Sequence, residues 1–398
     1  MVLALPTAAE FPALAREGLT YLDSAATAQT VRPALDAMAR YYEEYRASIH
    51  RGVYPLAAEA TEAYESARDR IAAFMGSTPG ETVFTRNATE ALNLVARGWG
   101  GQHVGADDLV VLTRMEHHSN IVPWQMLGCR LAYVDIDDEG VLDLDGLDAL
   151  LAQRPKAVAV AHVSNVLATV NPIEEIARRA HDAGAIVVVD GTQAAPHMAV
   201  DVAALGADFY AWTGHKAYGP TGIGVLHGRR ELLEVTEPLL GGGHMIARVG
   251  DFESTWAEPP AKFEAGTMPI AEAIGLGAAA DWLSALGMDN VWEHSRDVVG
   301  YAVERLGEVD GLTLHGPSDL SQRGAVCSFT LDGIHPHDVA EILGRDGVCV
   351  RAGHHCAQVL MRRLGVPATS RASFAVHSTR DEVDRLIEGI GTVQEVFA

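Results

Sequence analysis

Short, nearly unbroken apolar runs punctuate the first part of the chain: Asp108-Leu109-Val110-Val111-Leu112, Lys156-Ala157-Val158-Ala159-Val160-Ala161, Ala185-Ile186-Val187-Val188-Val189 and Gly222-Ile223-Gly224-Val225-Leu226. Runs of strand length with no polar alternation predict strands covered on both faces, the pattern of a largely parallel sheet. The segments between them, such as Pro172 to Ala183, have helical spacing. Strands alternating with amphipathic helices predict an α/β architecture with helices on both sides. The pattern breaks at Phe263-Glu264-Ala265-Gly266-Thr267-Met268-Pro269. An Ala-rich helical stretch, Ile270 to Leu286, follows, and alternating strands and helices after it predict a smaller α+β unit. The expected division is a large domain over 1–270 and a small one over 271–398, with residues 1–16 packing on the small domain.

Length and charge narrow the class. The 398 residues exceed the usual size of one domain, and 48% of them are hydrophobic, enough for a large core. No apolar run approaches the roughly 18 residues of a membrane span. Met1-Val2-Leu3-Ala4-Leu5-Pro6 has no basic segment leading into an apolar one, so it does not read as a signal peptide and the expected location is cytoplasmic. A net charge of −23 repels nucleic acid phosphates and acidic lipid, which excludes both as expected partners. Four cysteines, Cys129, Cys327, Cys349 and Cys356, do not form a disulfide framework in so long a chain.

The candidate chemistry centres on Thr213-Gly214-His215-Lys216, which follows the strand ending in Asp190. A lysine in a tight turn and a carboxylate at a strand end are what a pyridoxal phosphate enzyme requires, an amine for the Schiff base and a counter-ion for the pyridinium nitrogen. Carboxyl ends of parallel strands are also where open α/β sheets bind ligands, although Asp190 serves equally as a helix N-cap. Gln193, just beyond it, is placed to meet the phenolic oxygen of such a ring. Arg86-Asn87-Ala88-Thr89-Glu90 opens an apolar helix whose free N–H groups suit a phosphate, with Thr213 and His215 as further donors. Read alone, it is a capped helix.

Glu116-His117-His118 and His354-His355-Cys356 bring histidines together, but neither has zinc-site spacing, and no metal is expected. A histidine flat over a cofactor ring both stacks and moves protons near neutral pH. Cys356 lies in Arg351-Ala352-Gly353-His354-His355-Cys356-Ala357, and cationic neighbours favour a thiolate nucleophile. Cys129, Cys327 and Cys349 lie in apolar surroundings as inert core residues. Arg371 has the fork that suits a substrate α-carboxylate, a surface salt bridge being its bland alternative.

These motifs, in this order, resemble the class V aminotransferase superfamily of fold-type I pyridoxal phosphate enzymes, and within it the SufS-type group II cysteine desulfurases. The matching segments are Leu22-Asp23-Ser24-Ala25-Ala26-Thr27, His50-Arg51-Gly52, Asn87-Ala88-Thr89-Glu90, Glu116-His117-His118-Ser119-Asn120, His162-Val163-Ser164-Asn165, Asp190-Gly191-Thr192-Gln193, Gly214-His215-Lys216, Ala265-Gly266-Thr267, the His-His-Cys-Ala turn and Arg371-Ala372-Ser373. The turn around Cys356 is the narrowest of them.

The resemblance implies a large domain with a mostly parallel sheet and a small C-terminal domain carrying the catalytic cysteine loop. It implies that Lys216 holds the cofactor, that Asp190 and Gln193 hold its ring and that His117 stacks on it. Ala88, Thr89, Thr213 and His215 would bind the phosphate, with Thr267 reaching in from the second subunit of a homodimer. Asn165, Arg371, Arg351, His50 and Ala26 would surround the substrate, and Cys356 would carry the persulfide. The implied reaction converts L-cysteine to L-alanine and passes sulfur to a SufE-type or SufU-type acceptor for iron-sulfur cluster assembly. Met268 and Val359 depart from the family's usual prolines in their loops. Selenocysteine lysis, transamination, aromatic amino acid cleavage and epimerisation use the same apparatus and stay open as alternatives. A non-catalytic sulfur-trafficking scaffold is disfavoured by the intact Lys216, Asp190 and Cys356.

Overall fold

The computed structural model describes residues 8–398, so the Met1 to Pro6 segment, and with it the start of the 1–16 stretch, lies outside the described residues. The large sheet has strands β1 (Thr82–Thr85), β2 (Leu109–Thr113), β3 (Arg130–Val134), β4 (Ala157–Ala161), β5 (Ile186–Asp190), β6 (Phe209–Thr213) and β7 (Gly224–Gly228). They lie side by side in the order β1-β7-β6-β5-β4-β2-β3. From β6 to β3 every neighbouring pair is parallel. Strand β7, expected among the parallel set, runs antiparallel to both of its neighbours. Its reason is the short return from Thr213 to Gly224. A tight Gly- and Pro-containing turn suffices for an antiparallel partner, whereas a parallel one needs a crossover helix.

Both faces of the sheet are covered. The Ile173–Asp182 helix buries Ile173, Ile176, Ala177 and Ala180 and places Glu174 and Glu175 in its first turn and Arg179 and His181 in its last, which complements the helix dipole. The carboxyl ends of β2, β4, β5 and β6, at Thr113, Ala161, Asp190 and Thr213, share one edge of the sheet.

A second, antiparallel sheet follows, with β8 (Leu312–His315), β9 (Val326–Leu331), β10 (Arg351–Gly353) and β11 (Thr369–Ser373) in the order β8-β9-β11-β10. It packs with the Met288–Gly307 and Arg380–Phe397 helices around Val298, Leu306, Phe329 and Leu386. The latter helix opens on a capping box between Thr379 and Glu382. The Ile270–Leu286 helix does not join this second core. It lies against the Arg32–Glu44 and Pro55–Phe74 helices, with Ile270, Ile274, Leu276 and Leu283 in the large core. Being apolar on nearly all sides, it needs cover, and the large core supplies it.

The N-terminal segment bridges the two cores. Phe11 lies between Tyr218, His377 and Trp282, with ring centroids 5.8, 5.0 and 5.6 Å away. Thr20–Tyr21 pairs in parallel with Val348–Cys349. Among the described residues no helix is long and apolar enough to cross a membrane.

Candidate active site

The shared strand edge opens into a cleft of about 230 Å³. Its floor is the end of β5. Asp190 is 7% exposed there and accepts a hydrogen bond from the Thr192 N–H at 3.0 Å, so it caps the turn and faces the cleft together. The turn demands glycine at 191, because a Cβ there would lie 1.9 Å from the Tyr210 ring. Lys216 stands on the neighbouring strand end, in the Gly214–Lys216 turn. Burial, reinforced by Arg371 and Arg351 and opposed by Asp190, brings its amine down to about 8. Lys262, by contrast, donates to the Glu234 carbonyl at 2.9 Å, remote from the cleft.

A helix starting at Ala88 points its first turn at the cleft and continues through a π-turn, Val95–Trp99, to His103. Asn87 caps it by accepting from the Glu90 N–H at 2.9 Å, which leaves Ala88 and Thr89 on the cleft wall. The Thr89 hydroxyl meets Ser119 Oγ at 2.7 Å. Thr213 and His215 complete that end of the cleft. The Thr192 hydroxyl, on the same wall, is buried without a partner. A mobile phosphate-bearing aldehyde would find here an amine, a carboxylate under it, a helix start and unfilled donors, so the residues present fit pyridoxal phosphate.

His117 is held over this floor by its neighbour. Glu116 is fully buried, and its carboxyl accepts from Thr113 Oγ1 at 2.5 Å, Asn120 Nδ2 at 2.7 Å and the Ala161 N–H at 3.0 Å. These bonds fasten the turn after β2 to β4. Burial nevertheless pushes the Glu116 carboxyl up to about 7. His117 itself accepts from the Ser119 N–H through Nδ1 at 3.1 Å. Burial brings its ring down to about 4 despite Asp190 nearby, so it is neutral at physiological pH.

The cysteine loop meets the cleft from the small unit. His355 and Cys356 both have left-handed backbones, with φ of 50° and 57°. That conformation costs free energy away from glycine and persists because the surroundings hold it. The Cys356 carbonyl accepts from the His118 N–H at 2.8 Å, the Cys356 N–H donates to His354 Nδ1 at 3.1 Å, and Asn165 Nδ2 donates to the His355 carbonyl at 2.8 Å. The Gln358 N–H donates to His118 Nε2 at 3.0 Å. The loop is thus stitched to the large unit. The His355 ring turns away from the thiol to Thr369 Oγ1 at 2.9 Å, leaving His354 and His118, with ring centroids 5.6 Å apart, beside the loop. Burial pushes the other thiols, Cys129, Cys327 and Cys349, upward. Among the described residues no three His, Cys, Asp or Glu side chains are grouped to hold a metal ion.

Arg371 is not a surface residue. It is 1% exposed, donates through Nη1 to the Asn165 carbonyl at 3.0 Å and through Nη2 to Asp23 Oδ1 at 3.2 Å. Arg351 stands opposite it in register on β10. Gln193 donates through Nε2 to the Ala25 carbonyl at 2.9 Å.

Of the residues singled out in the sequence, Ala26, Ala88, Thr89, His117, Asn165, Asp190, Gln193, Thr213, His215, Lys216, Arg351, Cys356 and Arg371 line this one cleft. His50 and Thr267 do not. His50 stacks on His244, 4.6 Å between centroids, and bonds Glu65 at 2.7 Å, while Thr267 lies on an exposed loop. Sequence reasoning assigned no role to Ser119, Thr192, Glu116 or Asp23. Each sits within four residues of a residue it did single out, but only the fold reveals what its side chain faces.

Comparison with known proteins agrees with this geometry. Residues 20–386 match the model of the family described as aminotransferase class-V. A probable cysteine desulfurase from Streptomyces coelicolor is 51% identical, with 98% of this chain and 96% of that protein covered. The apo structure of a cysteine desulfurase from Thermococcus onnurineus superposes with a TM-score of 0.94 at 41% identity, over 99% of this chain and 98% of that one. The cysteine desulfurase CsdA from Escherichia coli, in an S-sulfonic acid form, gives 0.91 at 36% identity over 98% and 97%.

Proposed function

The chain belongs to the aminotransferase class-V family, and from that premise we propose that it is a pyridoxal phosphate-dependent cysteine desulfurase that converts L-cysteine to L-alanine. The observation that carries this reading is the meeting, in one cleft, of the Lys216 amine and Asp190 carboxylate with a thiol, Cys356, on a left-handed loop pinned from both units. Lys216, Asp190, Gln193, His117, Ala88, Thr89, Thr213 and His215 would hold the cofactor. Bound there, it would supply an aldehyde suited to the Lys216 amine and a ring able to accept electron density from the substrate Cα.

The chain's own residues do the rest. Arg371 and Asn165 hold the substrate α-carboxylate, and Arg351 and Ala26 line the space around it. Asp190 would serve as the counter-ion of the ring nitrogen. The Lys216 amine would take the Cα proton, a role its lowered affinity for protons suits. The neutral His117 ring stacks over the site and accepts or returns a proton. Cys356 Sγ then attacks the substrate sulfur. The new S–S bond forms as the substrate Cβ–S bond breaks, its electron pair stays on Cβ, and protonation there gives the methyl group of alanine. The persulfide sulfur leaves to a SufE-type or SufU-type acceptor, for iron-sulfur cluster assembly in the cytoplasm.

The enzyme works as a homodimer in this reading. His50 and Thr267 lie outside their own chain's cleft, and Thr267 on its exposed loop is free to serve the partner's phosphate site. Selenocysteine is a second substrate on the same path, because its carbon–selenium bond is weaker. The reading is tested by incubating holoenzyme and reductant with L-cysteine, with and without each type of acceptor. Alanine and sulfide should appear in equal amounts, faster with the matching acceptor. 3-Mercaptopyruvate in place of alanine and sulfide would make the protein a transaminase.

A further inference from the structure

Asp23 belongs to the segment Leu22 to Thr27, enters the cleft wall from the rear and is absent from the cleft lining. Its backbone is fixed on both sides. Leu22 N–H donates to the Cys349 carbonyl at 3.0 Å, Ser373 N–H to the Leu22 carbonyl at 2.8 Å, and Ala25 N–H to Ser373 Oγ at 2.9 Å. The turn closes through Ala26 N–H on the Asp23 carbonyl at 3.0 Å and Tyr21 OH on the Thr27 carbonyl at 2.7 Å. The carboxylate therefore reaches Arg371 from a rigid support.

What it does to Arg371 follows from the guanidinium's inventory. That group is planar and offers five N–H donors. One Nη1 hydrogen goes to the Asn165 carbonyl and one Nη2 hydrogen to Asp23, while Nε is buried and has no partner. Each Nη atom keeps a second hydrogen, and because Arg371 lines the cleft these are the donors that a ligand can complete. Arg371 also sits across the strand pair from Arg351, with Lys216 near, so the substrate end of the cleft gathers three cations. Asp23 bonds the first of them directly and is near enough to feel the charge of the other two.

We propose that Asp23 is a positioning residue: it clamps one arm of the Arg371 guanidinium, opposite the Asn165 carbonyl, so that the hydrogens left on Nη1 and Nη2 are held toward the α-carboxylate of the amino-acid substrate. This rests on the reading of the cleft as a site for an α-amino acid on pyridoxal phosphate. Removing Asp23 frees the guanidinium to swing toward solvent or toward other acceptors, and carboxylate recognition loses its orientation before any chemistry begins.

The test uses holoenzyme and two unreactive amines that differ in the carboxylate, L-alanine and ethylamine, each titrated by the change in cofactor absorbance. Asp23→Ala should weaken L-alanine binding about tenfold or more, the scale of a lost charge-assisted hydrogen bond, and leave ethylamine binding unchanged. Asp23→Asn keeps an oxygen for Nη2 and should stay within about threefold of the parent. Asp23→Ser, which favours the same turn but falls short of Nη2, should reproduce the alanine variant and stands in for it if that variant does not fold. Undiminished L-alanine binding in the alanine or serine variant overturns the proposal, as does an equal loss for ethylamine, which would mean a purely structural role. A parent holoenzyme that responds to neither amine would overturn the amino-acid reading along with it.

Discussion

Sulfide release from L-cysteine should fall about 10³-fold when Cys356 is replaced by Ala, while the protein stays folded and keeps its cofactor. The thiol enters only when the substrate Cβ–S bond breaks, and groups used only at that stage cost rate rather than binding when removed. The substitution deletes one side chain from a loop whose fixed points are backbone groups, the Cys356 carbonyl on the His118 N–H and the Cys356 N–H on His354. Cysteine should therefore bind as before, and the cofactor absorbance should still respond to it. Selenocysteine cleavage should be impaired less, because selenium leaves more readily and depends less on the thiol. Alanine formed per minute from each substrate, by parent and variant, decides the matter. Equal losses for both would mean that Cys356 does more than accept sulfur. An unimpaired rate with cysteine would remove it from the mechanism.

Replacing Lys216 by Ala should lower alanine formation by about 10⁴-fold, at the upper end of what proton transfer contributes, and abolish covalent retention of the cofactor on dialysis. Borohydride treatment of the parent holoenzyme should fix the cofactor to Lys216, not to Lys156 or Lys262. The amine's environment makes a further expectation quantitative. An ordinary lysine amine is half deprotonated near pH 10.4, whereas burial and the two neighbouring guanidiniums bring Lys216 to about 8. The free amine is the nucleophile, so lowering that value enlarges its fraction at neutral pH. In cofactor-free protein, acetylation of Lys216 should rise with pH to half its maximum near 8 and then level off. A half-maximum near 10 would show that the cleft leaves the amine unperturbed.

Much of this site was legible before the fold was known, for physical reasons that vary by residue. Asp190 and Lys216 were readable because each follows an apolar run that has one good explanation, a buried parallel strand ending at a ligand-binding edge. The Ile270–Leu286 helix was readable in its limits from its composition. Its packing partners were not, since an all-round apolar helix carries no stripe that says which core it enters. The reversal of Gly224–Gly228 was hidden because an apolar run has no direction. Asp23 and Arg371 lie 348 positions apart, and nothing local to either announces the pair. The same holds for Thr89 and Ser119. The left-handed backbone at His355 and Cys356 contradicts local preference, and such conflicts gather where a site imposes its own geometry.

The account stands most directly on what happens to Cys356 during turnover. Holoenzyme given L-cysteine carrying isotopically heavy sulfur, without acceptor or reductant, and then alkylated and digested, should yield the Cys356 peptide with one added heavy sulfur atom, alongside an equivalent amount of alanine, and unmodified peptides for Cys129, Cys327 and Cys349. Heavy sulfur on one of those three instead, or alanine formed with no sulfur on Cys356, would contradict it.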